Sequence, residues 1–409
     1  MMTLERFSAG IGDRFGQEGV AQLRAFQRAQ AAGVAVTPVW NKSNREHTIV
    51  GTRPDSVRAE ADAAVRELGW TGAYRVDADH IGWRTVDRFV AASDFFTMDV
   101  ADFIGQPAEE EAVREFVAYQ RGQPMPVALP EAELERIARK YLLAVQEAAK
   151  VYRHVAAVKG EENFIAEVSM DETDAPQTPV ELLVILAALA REGVRVQTIA
   201  PKFSGRFNKG VDYVGDLAKF EREWADDLAA VAFAAREYGL PATLKLSVHS
   251  GSDKFSLYPI IRRQLRRSGA GVHVKTAGTT WLEEMAGLAL AGGDALRLAQ
   301  RMYGQMYQRL DELAQPYATV IEIDRRRLPA PREVGSWTGV EFAAALRHDP
   351  REARFNPHFR QLVHVGFRVA AEHGGEFLSA LQTHRERIGE LVTENLYAKH
   401  LEPLFLAAD

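Results

Sequence analysis

Short runs rich in β-branched residues alternate along this chain with longer stretches whose apolar residues recur at helical spacing. This alternation is typical of a parallel sheet whose strands are connected by crossover helices. Eight runs predict strands at residues 34–40, 73–79, 95–103, 163–170, 194–203, 242–249, 271–276 and 318–323. Eight strands with helical spacers in a chain of 409 residues predict an α/β fold, a (β/α)8 TIM barrel, more than an open doubly wound sheet.

The spacers predict long amphipathic helices at 54–68, 178–192, 217–238 and 280–314, and Gly69, Gly193 and Gly239 stand where helix C-caps are expected. The spacer after the third predicted strand is longer and predicts an insertion with a helix at 130–159. Helical periods at 340–347, 359–371 and 377–404 predict a helical C-terminal extension. We therefore expect a single domain over residues 1–409, with the barrel at about 34–328 and the extension at about 329–409.

Composition narrows the class of partner. With 46% apolar residues, 26% charged residues and a net charge of -6, the chain can form a core and has no global electrostatic reason to bind nucleic acid or an anionic membrane. A small-molecule partner is expected. Because there are no cysteines, any metal site must use nitrogen and oxygen ligands. The first residues, MMTLERF, do not show a basic segment followed by an apolar core, and no uncharged apolar stretch approaches the ~20 residues that span a bilayer. We therefore expect a cytoplasmic protein, and the C-terminal helices suggest a homodimer.

Charged and polar residues alternate near the ends of four predicted strands, so each set shares one face of its strand. The interior of a barrel is normally filled by branched apolar side chains, and burying unpaired charges is costly. We therefore expect these groups at the mouth of the barrel. The sets are Arg75, Asp77 and Asp79; Glu167, Ser169 and Asp171; Lys245, Ser247 and His249; and His273 and Lys275.

Three histidines, His80, His249 and His273, stand at or near the ends of three predicted strands, which a barrel brings together on one face. Neutral imidazoles suit zinc or another borderline divalent ion, so these residues form the predicted metal site, with Glu167 as a substitute ligand. Asp79 and Glu167 are the candidates for proton transfer. The alternative is that both carboxylates orient the histidines.

Basic residues in the loops predict a site for an acidic group. Lys42 follows one predicted strand, and Lys202, Arg206 and Lys209 lie in a loop whose glycines permit close approach to a carboxylate or phosphate. Arg75 and Lys275, on the strands themselves, complete the predicted substrate-binding set.

Several strings in this chain resemble the bacterial tagaturonate epimerase family. They are YRVDADHI at 74–81, AEVSMDE at 166–172, IAPKFSGRFNKGVDY at 199–213, LSVHSGSDKF at 246–255 and VHVKTAGTTW at 272–281. The resemblance covers about residues 38–328. It implies a metal-dependent barrel that interconverts D-fructuronate and D-tagaturonate at C4, or acts on related ketohexoses. By position it implies Asp79 as proton acceptor, His80, His249 and His273 as ligands of a divalent metal, and Glu167 as the acid. Zinc is expected, with manganese, cobalt or nickel as alternatives.

Two other functions remain open at this point. The segment Val274-Lys-Thr-Ala-Gly278 resembles the strand that bears the Schiff-base lysine of deoxyribose-phosphate aldolases, which would make Lys275 a nucleophile. A sugar-sensing barrel without turnover is the non-enzymatic alternative. Within the epimerase hypothesis, the epimerised carbon lies β to the ketone, so either retro-aldol cleavage and re-addition or redox at C4 is required. No Gly-rich dinucleotide fingerprint follows the first predicted strand, which disfavours a bound nicotinamide.

Overall fold

Parallel strands close into a barrel in which each strand pairs with its neighbours in the chain. The computed structural model describes residues 2–171, 173, 175–249, 252–276 and 278–407, and among these residues the barrel has eight strands in the order β1 to β8. The strands are β1 Phe7–Gly12, β2 Thr37–Ser43, β3 Arg75–Ile81, β4 Phe95–Asp99, β5 Ile165–Ser169, β6 Thr198–Ala200, β7 Lys245–Val248 and β8 Val272–Val274. The predicted TIM barrel is confirmed.

The identity of the first and last strands differs from the prediction. Strand β1 lies at Phe7–Gly12, in a segment that was not predicted as a strand, and it closes the barrel by pairing with both β2 and β8. The predicted eighth strand at 318–323 is wrong: this segment is irregular, and its side chains Val320, Ile321 and Ile323 pack against the C-terminal helices. The predicted strands are therefore β2 to β8, and the insertion follows β4.

Helices cover the outside of the barrel, and most of the predicted spacers have the expected bounds. Gly69, Gly193 and Gly239 have positive φ angles of 59°, 75° and 67° beside helix ends, as a C-cap requires. The α-helices from the N-terminus to β6 are α1 Gly19–Ala31, α2 Asn44–Val50, α3 Pro54–Leu68, α4 Val86–Phe89, α5 Glu110–Arg121, α6 Glu131–Lys159 and α7 Pro179–Arg191. Those up to residue 314 are α8 Leu217–Glu237, α9 Tyr258–Ser268, α10 Thr280–Ala291, α11 Gly293–Gln308 and α12 Leu310–Ala314.

The predicted C-terminal extension is helical and packs beside the mouth of the barrel. It contains α13 Pro331–Val334, α14 Gly339–Leu346, α15 Pro357–Val365, α16 Phe367–His373, α17 Gly375–Thr383 and α18 Arg385–Leu396, followed by a π-helical segment at Tyr397–Leu406. These helices share a hydrophobic core with α10 and α11, in which Trp281, Met302, Phe342 and Phe359 are buried. Among the described helices, none has the length and apolar character needed to cross a membrane.

The two ends of the barrel differ in what covers them. At the amino ends of the strands, Leu4 packs with Val39, Phe95 and Ile165, and the buried ammonium of Lys245 donates a hydrogen bond of 3.1 Å to the Leu4 carbonyl. The N-terminal segment therefore closes this end. The carboxyl ends of the strands open into a cavity, which is where active sites of TIM barrels lie.

Candidate active site

A cavity of about 440 Å³ lies at the carboxyl ends of the strands, a volume in the ordinary range for a small-molecule site. Its floor is polar and charged. It contains Asp79 and His80 from β3, Asp171 after β5, His249 after β7 and Lys275 after β8. Because Val248 of β7 pairs with Val274 of β8, the next residues, His249 and Lys275, leave the barrel at the same level.

A β-bulge explains why two consecutive residues of β3 both line the cavity. Side chains normally alternate between the two faces of a strand, but the pairing of β3 with β4 shifts register between Ala78 and Ile81. His80 within the bulge has a φ angle of 50°, a left-handed conformation that costs a non-glycine residue about 1–3 kcal/mol. The bulge therefore directs the side chains of both Asp79 and His80 into the cavity at the mouth of the barrel.

His80, Asp171 and His249 form a cluster suited to a metal ion. One ligand atom from each residue lies within 4.8 Å of the other two, and the rings of His80 and His249 are 5.0 Å apart. Asp171 Oδ1 lies 3.0 Å from Nδ1 of His249 and accepts a hydrogen bond of 2.7 Å from Ser169. Two imidazoles and one carboxylate are a donor set that suits zinc, manganese, cobalt or nickel.

The electrostatics of this cluster favour positive charge at the imidazoles. Burial lowers the pKa of His80, but Asp79 and Asp99 outweigh it and raise the pKa to about 10; the Asp99 carboxylate is 3.0 Å from Nδ1. Burial is likewise outweighed at His249, where Asp171 and Glu167 raise the pKa to about 9. A divalent cation would supply the same positive charge, so the surroundings fit such an ion.

His273 does not lie with the other two predicted ligands, which corrects the three-histidine set. It pairs with Ser8 of β1 and Ser247 of β7, two positions below the level of His249. Its Nδ1 is 2.9 Å from the Ser8 hydroxyl and its ring lies 5.2 Å from that of Phe95. Complete burial lowers the pKa of His273 to about 3, so the ring is neutral. His273 packs inside the barrel, and Asp171 takes its place in the cluster.

Lys275 is surrounded by carboxylates instead of an apolar pocket. Its Nζ contacts the carboxylate of Asp77 and the hydroxyl of Thr97, and lies 3.1 Å from Asp79 and 3.5 Å from Glu167. Burial lowers the pKa of Lys275, but Asp77, Asp79 and Glu167 outweigh burial and raise it. A Schiff-base lysine needs a depressed pKa, so this environment disfavours the aldolase alternative.

The charge of Lys275 in turn affects the pKa values of both aspartates of β3. Burial raises the pKa of Asp79, but the charges of Lys275 and His80 outweigh it and hold the pKa below its ordinary value. Deeper in the barrel, burial raises the pKa of Asp77 to about 7 against the opposing charge of Lys275. Of the two aspartates, Asp79 is therefore the one that is ionised and lines the cavity.

Glu167 lies beneath the cavity floor. It is fully buried, and its Oε1 is 2.8 Å from Nε2 of His249 and accepts a hydrogen bond of 3.2 Å from Thr97. Burial raises its pKa, but Lys275 and His249 lower it well below the ordinary value. Glu167 is thus held as a carboxylate that orients His249, which favours the positioning alternative over the predicted role as an acid.

The predicted substrate-binding cations separate into two groups. Lys42, Lys209 and Lys275 line the cavity. Arg75 lies at the opposite end of the barrel, where it donates a hydrogen bond to the Thr3 carbonyl, because it is the first residue of β3 and not near its end. Lys202 donates to the Thr173 carbonyl and Arg206 pairs with Glu322 at 2.7 Å, and both lie outside the cavity lining formed by the described residues. The assignments of Arg75, Lys202 and Arg206 are therefore corrected.

The sequence predicted Asp171 at the mouth of the barrel but not as a metal ligand, and it did not predict Arg14 or His364 in the site. Asp171 had a signal, since it continues the alternation of Glu167 and Ser169 beyond the end of β5. Arg14 follows β1, the strand that was not predicted, and His364 belongs to α15 in the C-terminal extension. Nothing in the local sequence of these two residues indicates that they line the same cavity as His80.

The fold and the site together define a TIM-barrel protein with a polar, charge-lined cavity at the carboxyl ends of its strands. The chain belongs to the tagaturonate epimerase family: the family profile, described as UxaE tagaturonate epimerase, matches residues 1–123 and 120–404. This match confirms the resemblance found in the sequence motifs.

Individual relatives agree with the family match. A tagaturonate/fructuronate epimerase of Thermotoga maritima is 31% identical over 315 residues, which are 71% of this chain and 61% of that protein. The chain thus aligns with about three fifths of the length of that relative. Two crystal structures of the fructuronate-tagaturonate epimerase UxaE from Cohnella laeviribosi, one with glycerol and one native, are similar with a TM-score of 0.81 and 25% identity. The matches cover 98% and 99% of this chain and 82% of the other.

Proposed function

We propose that this protein is an isomerase that interconverts D-fructuronate and D-tagaturonate by inverting C4. Family membership supports the reaction, since the relatives in Thermotoga and Cohnella are described as epimerases of these two sugar acids. The observation that carries the proposal is the cavity floor, where Asp79, the cluster of His80, Asp171 and His249, and Lys275 meet. A sugar-sized polyol can meet an ionised carboxylate and a buried ammonium there at once.

Asp79 is proposed to accept the proton of the C4 hydroxyl. Both retro-aldol cleavage and oxidation at C4 begin with loss of this proton, so the role does not depend on which route follows. The ion pair with Lys275 keeps Asp79 ionised and fixes its position. The ion pair with Lys275 also makes Asp79 a weak base, so Asp79 would not readily remove the proton of an ordinary alcohol.

The residues that would hold a divalent metal are His80, Asp171 and His249, with Glu167 orienting His249 and Asp99 orienting His80. A bound ion of this kind supplies Lewis acidity, which lowers the pKa of nearby hydroxyl groups and polarises a carbonyl. The donor set favours zinc, with manganese, cobalt or nickel as alternatives. Lys275, held as an ammonium, is proposed to stabilise negative charge that develops on the substrate oxygens.

The reaction is tested directly by incubating the purified protein with D-tagaturonate and following D-fructuronate by NMR. We expect conversion that stops after chelation and returns when zinc, manganese, cobalt or nickel is added. The absence of conversion with every metal, for both hexuronates and for neutral ketohexoses, would favour a sugar-sensing barrel.

The ligand set makes a separate prediction about metal content. Asp171→Ala, His80→Ala and His249→Ala should each reduce bound metal at least about tenfold, since each removes one of three protein ligands. His273→Gln is the matched comparison, because it changes a buried histidine outside the cluster, and it should retain the metal of the unaltered protein. Elemental analysis of the four dialysed variants checks this result. Lost metal in His273→Gln with full occupancy in Asp171→Ala would restore the original histidine set.

A further inference from the structure

One wall of the cavity is built from three segments that are distant in the chain. Arg14 follows β1, Lys209 follows β6 and His364 lies in α15 of the C-terminal extension, and all three line the cavity. Arg14 Nη2 is 3.4 Å from Nε2 of His364. The backbone at Gly210 lies so close to the same ring that a Cβ atom there would be 3.5 Å from Nδ1. The wall therefore places two cations around one imidazole.

The imidazole between these cations is neutral. Burial lowers the pKa of His364, and the charges of Arg14 and Lys209 lower it further, well below its ordinary value. Because arginine can only donate, Nε2 of His364 must be the acceptor of the Arg14 contact. The ring thus separates two like charges and neutralises neither of them, so the wall keeps an excess of positive charge.

The cations of the cavity differ in whether a nearby carboxylate balances their charge. Lys42 is buried, donates to the Arg14 carbonyl and lies in the field of Asp13 and Glu46. Arg14 is paired with Glu46 at 3.0 Å. Lys209 is different, since its ammonium has no hydrogen-bond or ion-pair partner anywhere in the described part of the chain. Lys209 therefore carries the uncompensated charge.

The wall is fixed in place before any ligand arrives. The Lys209 amide donates to the Val320 carbonyl at 2.8 Å, and the Gly210 carbonyl accepts a hydrogen bond of 2.6 Å from the buried Arg360. The Arg14 guanidinium packs 4.4 Å from the centre of the Phe367 ring. Preorganised donors lose little conformational entropy when an anion binds.

We propose that Lys209 and Arg14, with His364 as their positioning residue, bind the carboxylate of the sugar and make this protein select hexuronates over neutral ketohexoses. The inference rests on the proposed function and deepens it, because it assigns a chemical class of substrate and the residues that choose it. A ketohexuronate has one carboxylate at C6, at the end of the molecule remote from its ketone, and a neutral ketohexose has a hydroxyl there. An ammonium and a guanidinium discriminate between the two because charge-assisted hydrogen bonds to a carboxylate are stronger than those to a hydroxyl.

The test compares Lys209→Met with the unaltered protein, using D-tagaturonate and D-tagatose as a matched acid and neutral pair. Isothermal titration calorimetry should show about a 30- to 100-fold weaker affinity for D-tagaturonate and an affinity for D-tagatose within twofold of the original. In assays, the loss should lie mainly in KM for D-tagaturonate. Lys209→Arg should keep most of the affinity, and Arg206→Met, which removes a cation of the same loop outside the cavity, should change neither sugar.

Equal weakening of both sugars, or unchanged binding of D-tagaturonate in Lys209→Met, would overturn the proposal. Calorimetry also separates this result from the proposed reaction. If the unaltered protein converts neither sugar, the epimerase function fails, but a selective loss of D-tagaturonate affinity in Lys209→Met still supports the carboxylate site.

Discussion

Replacing Asp79 with asparagine is expected to lower kcat for hexuronate epimerisation by about 10²- to 10⁴-fold, the usual contribution of a positioned proton acceptor. Asparagine has nearly the same shape but accepts no proton. Asp79 differs from Asp99 and Asp171, the other aspartates of the cavity lining with lowered pKa values, in its ion pair with Lys275 at 3.1 Å. The expected effect lies in kcat because the substituted side chain can still accept hydrogen bonds from substrate hydroxyls.

The measurement is a steady-state assay with D-tagaturonate, together with metal content and thermal unfolding of the variant. Asp102→Asn is the matched control, since Asp102 is exposed on the turn after β4 and lines no part of the cavity among the described residues; it should keep full activity. If the Asp79→Asn variant is folded and metal-loaded and still retains more than a tenth of the original kcat, Asp79 is not the proton acceptor.

The barrel could be predicted from the sequence because its crossover helices and most of its strands have clear periods. Strand β1 could not be predicted, because its segment FSAGIG, Phe7–Gly12, has small residues at positions where strands usually have branched ones. The structure explains the glycine: a Cβ at Gly10 would lie 1.7 Å from the carbonyl oxygen of Lys275, so the close approach of β8 excludes a larger residue. Conversely, the branched residues of 318–323 are half-buried against the core that the C-terminal helices share with α10 and α11, and they form no strand.

The site was predicted only as far as strand alternation determines it. Asp79, His249 and Lys275 were placed correctly at the mouth, but alternation alone would send His80 to the other face of β3, and only the bulge returns it. His273 was predicted at the mouth but lies one layer deeper inside the barrel, level with Ser247 and not with His249. The depth of a residue depends on the stagger between neighbouring strands, which the sequence of a single strand does not reveal. Arg14 and His364 depend on tertiary packing between the ends of the chain.

A buried arginine of the C-terminal extension contacts three of the segments that carry site residues. Arg360 of α15 is fully buried and donates to the carboxylate of Asp253 at 2.6 Å, to the Gly210 carbonyl and to the Thr279 hydroxyl at 3.0 Å. These three partners belong to the segments that follow β7, β6 and β8, the same segments that carry His249, Lys209 and Lys275. Asp253 has a left-handed φ angle of 62°, so its backbone conformation needs support from its surroundings.

Arg360→Met is therefore expected to destabilise the fold by about 3–5 kcal/mol, the usual cost of removing one member of a buried ion pair. Asp253 would keep only the rings of His348 and His400, at 3.4 and 3.3 Å from its carboxylate. The midpoint of urea unfolding measures the change, with Arg354→Met as control, because its ion pair with Glu341 is partly exposed and should contribute about 1 kcal/mol or less. Adding Asp253→Asn to Arg360→Met should recover part of the loss, since asparagine is neutral and tolerates the left-handed conformation. If the double variant is as unstable as the sum of the two single variants, the loss comes from packing and not from the unpaired charge of Asp253.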